Sequence, residues 1–437
     1  MPPQVVLAHA VGVRTDLPVP VLAVLLAGGL AVVASFAALG ALWRTSKLRG
    51  DAAGTPLPAG LQRAAESPLL RGVLRAVVLV VTLFVVFVAL LGPTESSFNL
   101  APYAFYVTFW VGLVPASLLL GPVWRAVSPL RTLYAGLARI SGPPPGAGGP
   151  ARLGLWPAVV GLLAYAWLEL VFPDRAVPQT LGLVLVVYGV VQLVAALWYG
   201  PDWFASGDAF EAYSTLLGRL SVLGRRDDGR LVLRNPLDGA DGTPVQPGLA
   251  AFVTVLVGTT AFDGVTRATW YQSRYGLNGG DVLTPTLGLL LVVALVSGLY
   301  LLATALAGRL TGTAGAPGTY AHSVLPIAAG YAVAHYFSLL LLEGQLTWIL
   351  ASNPFGQDGV DLFGTYRNEV DLTAVSPSTI AAVQISAIVL GHVLGVVLAH
   401  DRAVRLAGHA RQARRSQYPL LVVMVGLTVG GLGLLLG

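Results

Sequence analysis

Few side chains that could do chemistry fall inside the apolar segments of this sequence. Glu169 lies in the run AWLEL, Asp263 in GTTAFDG and His335 in AHY. Polar groups are costly inside a membrane, so those present are the first candidates for function. Histidine and carboxylate together supply a general base with its orienting partner, or ligands for a metal ion. We therefore predict Glu169, Asp263 and His335 as catalytic residues, which would also be the ligands of a divalent metal.

Two further residues could complete such a site. Gln384 lies seven residues into its apolar segment. This is a depth similar to that of His335, because a helix rises about 1.5 Å per residue. Gln384 would orient the metal ligands, and His9, before the first apolar segment, could add another ligand. In the alternative interpretation, Glu169 reaches the lipid headgroups and Asp263 ends its helix in water.

A second polar group lies at the other ends of these segments, with His322 and His400 at the ends and His392 about two turns deeper. A haem held by two histidines is one hypothesis. His322 and His335 are about 220° apart around an ideal helix, and His392 and His400 are about 80° apart, so neither pair is aligned. This geometry disfavours haem. His400, followed by an acidic and a basic residue, is expected to cap a helix end.

The elements that position these residues are apolar segments of membrane-spanning length. Crossing about 30 Å of hydrocarbon takes about 20 residues, and backbone groups in lipid must pair within a helix. The segments fall at 19–43, 76–92, 102–121, 155–172, 179–199, 249–264, 285–307, 319–342, 377–399 and 418–436. The sequence therefore predicts an all-α polytopic membrane protein, a single domain over residues 1–437 with about ten transmembrane helices.

The distribution of basic residues predicts the orientation. Of the 26 Lys and Arg residues, 21 fall in alternate gaps between the apolar segments and five in the other gaps. Basic loops stay on the cytoplasmic side. Both termini are then on the outer side of the plasma membrane of a prokaryote.

Three loops stand out. The cytoplasmic loop 200–248 contains apolar residues at helical spacing, which predict an amphipathic helix on the inner surface, and a short strand at 230–234. The helical set is Phe210, Tyr213, Leu216, Leu217, Leu220 and Leu223. The segment 142–150 is a flexible connector rich in Pro and Gly, and 343–376 is a long outer loop.

Composition excludes several classes of function. The chain is 55% hydrophobic, only 11% charged and has no cysteine, which is typical of a membrane protein and rules out disulfides and thiol chemistry. The net charge of +5 comes from the cytoplasmic loops, so the expected partner is the lipid bilayer and not nucleic acid. The sequence shows no HxH, HExxH, Walker or GxSxG motif.

Seven runs of sequence carry a resemblance to a known family. They are RTDLPVP (14–20), AYAWLELVF (164–172), DGRLVLRNPL (228–237), GTTAFDG (258–264), VLPIAAGYAVAHYFSLL (324–340), GHVLGVVLAHDRA (391–403) and RSQYPLLVVMVGLT (415–428). They resemble an actinobacterial-type family of polytopic membrane proteins commonly labelled fenitrothion hydrolase. The resemblance covers nearly the whole chain. It implies a shared fold and hydrolysis of an organophosphate ester, and it assigns no catalytic residues.

Three functional hypotheses follow. The first is a membrane hydrolase with an outward-facing His and carboxylate site, where a metal-bound water attacks phosphorus. The second is a secondary transporter. The long inner loop divides the helices into two sets of five, and because five is odd the second set would have the opposite orientation, as in an inverted repeat. The third is a non-catalytic subunit of a membrane complex. The sequence indicates neither the small-molecule substrate nor a protein partner.

Overall fold

The computed structural model describes residues 20–275 and 281–436, and helices form most of this part of the chain. In its first half the α-helices are α1 (Val21–Leu42), α2 (Ala59–Glu66), α3 (Pro68–Leu91), α4 (Leu100–Pro102), α5 (Leu113–Leu120), α6 (Val123–Val127), α7 (Pro129–Ser141), α8 (Gly149–Leu153), α9 (Trp156–Leu170), α10 (Pro178–Tyr199), α11 (Trp203–Gly207) and α12 (Ala209–Gly218). In its second half they are α13 (Pro236–Asp241), α14 (Leu249–Arg267), α15 (Thr269–Tyr275), α16 (Leu283–Thr311), α17 (Ala316–Tyr320), α18 (Leu325–Leu342), α19 (Gly344–Ala351), α20 (Pro377–Leu406) and α21 (Ala410–Leu436). The predicted all-α fold is confirmed.

Nine helical segments of the described chain are long and apolar enough to cross a membrane. They are Val21–Leu42, Pro68–Leu91, Leu100–Leu120, Pro178–Tyr199, Leu249–Arg267, Leu283–Thr311, Ala316–Ala351, Pro377–Leu406 and Arg411–Leu435. The tenth predicted segment, 155–172, is α9, an apolar helix of 15 residues. Such a helix rises only about 22 Å, less than the thickness of the hydrocarbon core.

Two of the nine segments are not continuous α-helices. Leu100–Leu120 contains a π-helix at Tyr103–Val111, between α4 and α5. Ala316–Ala351 contains a 3₁₀-helix at Ala321–Val324, just before α18. The second interruption has a local cause, because Pro326 has no amide hydrogen to donate to a preceding carbonyl. Interrupted helices of this kind are frequent at functional sites.

The pair α18 and α20 approaches closely at glycines. A Cβ atom on Gly330 would lie 2.4 Å from the carbonyl oxygen of Ala387, and one on Gly391 would lie 2.6 Å from that of Pro326. Only glycine leaves room for such backbone contact. Around this pair, α14 packs against α16 and α18, while α21 packs against α1, α16 and α20.

The helix predicted in the loop 200–248 exists as α12, but its predicted position is wrong. Nine of its ten residues are buried, and it packs against α5, α6 and α9. Its polar residues have partners within the protein: Arg131 pairs with Glu211, and the hydroxyls of Ser117 and Ser214 lie 2.8 Å apart. Its apolar residues are buried and its polar residues have partners inside the bundle. The helix therefore lies within the bundle and not on the inner surface.

The loops richest in Arg and Lys meet at one end of the bundle, called the basic end below. Contacts there join residues 43–51, 219–241 and 401–405. A three-stranded antiparallel sheet in the order β1-β3-β2 covers this end. Its strands are β1 (Thr55–Pro56), β2 (Leu223–Arg225) and β3 (Leu231–Leu233). The strand predicted at 230–234 is confirmed as β3, and the predicted connector 142–150 is free of helix up to residue 148.

Candidate functional site

The site is built around Asp263, near the end of α14 that lies away from the basic end. Its side chain is only 1% exposed. The imidazole of His335, on α18, hydrogen-bonds through Nε2 to the Oδ2 atom of Asp263. The neighbouring hydroxyl of Tyr336 donates to the same oxygen at 3.3 Å. The packing of α14 against α18 therefore brings together two of the residues predicted from sequence.

Arg267 supplies the positive charge of the site. It follows Asp263 by one helical turn, and its Nε atom lies 3.4 Å from Oδ1 of Asp263. The Arg267 side chain is 31% exposed, so the ion pair runs from the protein interior toward the surface. A buried carboxylate is costly unless a cation and hydrogen-bond donors satisfy it. Arg267, His335 and Tyr336 together meet that need.

Glu169 faces the same region from α9, which packs against α14. It is buried, and its carboxyl interacts electrostatically with Asp263, Arg267 and the Tyr165 hydroxyl. The acid therefore points into the protein rather than toward lipid. A second carboxyl this close to Asp263 makes the charge of the site sensitive to a single proton, because two buried carboxylates strongly oppose joint ionisation.

Aromatic rings pack beside the buried acids of the site. The ring of Tyr165 packs 4.5 Å from Trp110 and 5.9 Å from Phe105, both in the π-helix Tyr103–Val111. The ring of Tyr336 meets His335 edge-on at 4.8 Å. Electrostatic interactions are stronger in such a low-dielectric environment. The irregular helix thus contributes directly to the wall beside Glu169.

His335 also borders a small cleft between α14, α18, α20 and α21. The lining includes Thr260, Gly264 and Tyr331, with apolar residues of α21. Nε2 of His335 faces Asp263, and the same residue lines the cleft. The imidazole therefore links the cleft to the buried carboxylate.

The predicted supporting residues do not join this group. Gln384 is half-buried on α20, has no hydrogen-bond partner among the described residues and does not line the cleft. His9 lies outside the described residues.

The residues present do not fit a metal ion. Within residues 20–275 and 281–436, no group of three or more His, Asp or Glu side chains is arranged to hold one. Asp263 already receives hydrogen bonds from His335 and Tyr336, and it faces the guanidinium of Arg267. A cation beside Arg267 would be repelled. The predicted divalent metal thus gains no support from the described residues.

The three histidines nearer the basic end are buried but serve different contacts. His400 uses both ring nitrogens, with Nδ1 at 3.0 Å from Gln417 Oε1 and Nε2 at 3.0 Å from the Trp43 carbonyl. His392 places Nδ1 at 2.9 Å from the carbonyl oxygen of Ile388 in its own helix. Because both ring nitrogens of His400 are engaged, His400 is not placed to ligate haem. At the end of its helix it connects α20 to α1 and α21.

Sequence reasoning missed several members of these networks. Arg267 stands four residues after Asp263, a spacing that signals an ion pair on one helix face. The same spacing relates Asp401 to Arg405, whose side chains lie 3.1 Å apart. No spacing in the sequence signals Tyr336, because its role depends on how α18 packs against α14.

The comparisons with known proteins identify no relative. No protein-family model, no curated protein and no solved structure matches this chain.

Proposed function

We propose that this protein is a proton-coupled secondary transporter in which Asp263 and His335 bind the coupling proton. One observation carries the proposal: a carboxylate and an imidazole share a hydrogen bond inside an apolar helix bundle, beside a second buried acid. Ionisable groups at such positions typically belong to ion or proton pathways. The interrupted helices add support, because transporters build their sites beside broken helices.

The proton would move through His335. It arrives at Nδ1 from the cleft, and the proton on Nε2 can pass to Oδ2 of Asp263. Arrival of the proton changes the net charge of the Asp263–His335 pair, which faces Arg267 and Glu169, by one unit, and the transfer within the pair leaves that net charge unchanged. A change of one charge in a low-dielectric site alters the relative stability of packing arrangements by several kcal/mol, on the order expected for buried ions. This is the energetic link between proton binding and movement of α14 against α18.

Reconstituted protein tests the proposal with a panel of solutes of different chemical classes. Proteoliposomes loaded with the pH dye pyranine would be exposed in turn to amino acids, sugars, organic cations and organic phosphates. We expect at least one solute to change the lumenal pH with wild type and not with Asp263→Asn. Infrared titration of the purified protein gives the direct measurement. Absence of any Asp263 or His335 protonation change between about pH 5 and about pH 9 would refute proton binding.

The proposed location is the plasma membrane of a prokaryote, with the basic end in the cytoplasm and both termini outside, an arrangement that requires the short helix α9 to cross the membrane as the tenth span. The support is the excess of Arg and Lys in the loops of that end. Because the chain has no cysteine, single cysteines report sidedness cleanly. In intact cells, Asp358→Cys should react with an impermeant maleimide, whereas Arg139→Cys should react only after lysis.

One observation favours a second candidate, the hydrolase implied by the family resemblance. A carboxylate that orients an imidazole at the edge of a cleft is the arrangement of a general base. His335 Nδ1 would take a proton from a water that attacks phosphorus, and the phenolate would leave. Purified wild type and His335→Ala should then differ strongly in hydrolysis of a nitrophenyl phosphate triester. Equal rates would eliminate this candidate and leave the transporter proposal intact.

A further inference from the structure

The outward face of α21 is basic at its start and apolar farther along the helix. Arg411, Arg414 and Arg415, in the first two turns, are all exposed. Tyr418 and Val422 follow and are 53% and 71% exposed. The spacing of positions 411, 415, 418 and 422 is that of one side of an α-helix. From the basic end onward, this face therefore presents guanidinium groups, then a phenol, then an aliphatic side chain.

The three arginines of this face have no acid that neutralises them. No ion pair in the described part of the chain includes any of them. Asp401 is the last acidic residue of the sequence. By contrast, Arg402 and Arg405, at the end of α20, both pair with the buried Asp241. The outward face of α21 therefore carries positive charge that the protein itself leaves uncompensated.

Two neighbouring helices bring further cations to the start of α21. The stem of Arg414 packs against α1, since a Cβ atom on Gly40 would lie 3.2 Å from its Cδ atom. The exposed Arg44 follows the end of α1. Gln412 donates a hydrogen bond at 2.9 Å to a carbonyl in the last turn of α16, which carries the exposed Arg309. The arginines of α21 are thus part of a positive patch to which three helices contribute.

The order of groups along the face matches that of a phospholipid. Guanidinium groups bind phosphate oxygens through several N–H donors in a fixed geometry. Tyrosine is favoured where lipid headgroups meet the hydrocarbon, and aliphatic side chains face the acyl chains. A soluble phosphate would use only the arginines, and a zwitterionic lipid would bring its ammonium group into a positive patch. Charge and apolar surface together therefore fit an anionic phospholipid.

We infer that the outward face of α21 is a binding site for an anionic phospholipid, with the phosphate held by Arg411, Arg414 and Arg415. Its acyl chain lies along Tyr418 and Val422. The attraction is electrostatic, so it weakens as salt screens the charges. The inference goes beyond the proposed function, because lipid binding requires neither transport nor a proton on Asp263.

A single labelled cysteine on this face reports lipid occupancy directly. Val422 lies in the apolar part of the face, and the chain has no native cysteine. Val422→Cys would be labelled with bimane and placed in phosphatidylcholine nanodiscs. A small fixed fraction of the lipid would carry bromine on its acyl chains, as phosphatidylglycerol in one sample and as phosphatidylcholine in the other. Bromine quenches the dye at close range. We expect brominated phosphatidylglycerol to quench at least about threefold more strongly, because each nearby cation adds to the attraction for anionic lipid.

Val191→Cys is the matched control position. Val191 is 55% exposed on α10, and it lies about as far from the end of its helix as Val422 lies from Arg415. The sequence has no Arg or Lys between residues 176 and 218. The two brominated lipids should therefore quench a dye at this position about equally.

Substitution of the arginines identifies the groups that hold the headgroup. Replacing all three with Gln should abolish the preference at position 422, and Arg411→Gln alone should lower it, which serves should the triple variant not fold. Arg139→Gln is the control, because Arg139 of α7 is also exposed and has no ion pair among the described residues. It should leave the preference unchanged.

Three outcomes would overturn the inference: equal quenching by the two lipids in the parent protein, a similar preference at position 191, or a preference that survives loss of the arginines. Failure of proton coupling in proteoliposomes would refute the proposed function and leave these quenching results unaffected.

Discussion

Asp263 and His335 are separated by 72 residues in the sequence and share a hydrogen bond between α14 and α18. Both side chains are at least nine-tenths buried, and the acid also faces Arg267. An isolated charge at such a position would be very unfavourable. The two residues therefore depend on each other both for stability and for any chemistry at the site.

A double-mutant cycle should reveal that dependence. We expect Asp263→Asn and His335→Gln each to lower the free energy of unfolding by about 2–4 kcal/mol, because each breaks a buried polar pair. The double variant should lose less free energy of unfolding than the two single variants lose together, and the difference is a coupling energy of about 1–3 kcal/mol. Denaturant titration in mixed micelles measures all three. Purely additive effects would show that the two side chains do not interact.

The contact between α18 and α20 can be tested at its glycines. Gly391→Ala places a methyl group against the Pro326 carbonyl, so we expect the protein to lose about 2–3 kcal/mol of stability. Gly426 in α21 is the matched control, because a Cβ there meets no atom within 4 Å. Gly426→Ala should be neutral or stabilising by up to about 1 kcal/mol, as in an ordinary helix. Similar melting temperatures for the two variants would contradict the close approach of the helices.

The contacts of Asp401 at the basic end predict that loss of its negative charge lowers the stability of the protein strongly. Its carboxylate accepts hydrogen bonds from Trp43 Nε1 at 2.9 Å and Ser46 Oγ at 2.7 Å, and it pairs with Arg405. Asp401→Asn removes the charge and leaves these donors facing an amide. We expect the free energy of unfolding to fall by about 3–5 kcal/mol. The exposed Asp358→Asn should change stability by less than about 0.5 kcal/mol. Thermal unfolding in detergent compares the two variants, and equal melting temperatures would argue against these contacts of Asp401.

Asp208 should make stability depend on pH. Burial raises the pKa of this helix-capping carboxyl from 3.8 to about 6; Tyr188, by donating a hydrogen bond at 2.7 Å, partly opposes the shift. Between those values the folded protein holds a proton that the unfolded chain has lost, so stability falls as pH rises through the window. The free energy of unfolding of the wild type should fall by at most about 3 kcal/mol across this window, relative to Asp208→Asn, whose side chain cannot titrate.

Asp228 is the control for that pH dependence. Its hydrogen bond from Arg226 lowers the pKa to about 2, so its contribution to stability is lost only as pH falls below the ordinary value. Between about pH 4 and about pH 7, Asp228→Asn should therefore track the wild type. If Asp208→Asn also tracks the wild type there, the carboxyl of Asp208 is not protonated in the folded state.

Much of the fold could be predicted because it depends on neighbours in the sequence. The apolar segments around Glu169 and His335 are evident from their composition alone, and the strand at 230–234 from the Asp-Asp-Gly turn that precedes it. The segment containing Glu169 is correctly predicted as an apolar helix, but α9 has only 15 residues. Its ends depend on the Gly and Pro residues beside it and on contacts with Pro247, which hydropathy does not report.

The sequence by itself determined the all-α architecture, the candidate acids and imidazoles, and the segregation of basic loops, because hydropathy and charge are sums over local residues. Only the tertiary structure decided that His335 meets Asp263 while Gln384 stays apart, that α12 is buried, and that Arg414 packs against Gly40. Those relationships depend on the rotation and crossing of helices distant in the chain. Rotation and crossing follow from packing details, such as the absent Cβ at Gly391, that no local pattern encodes.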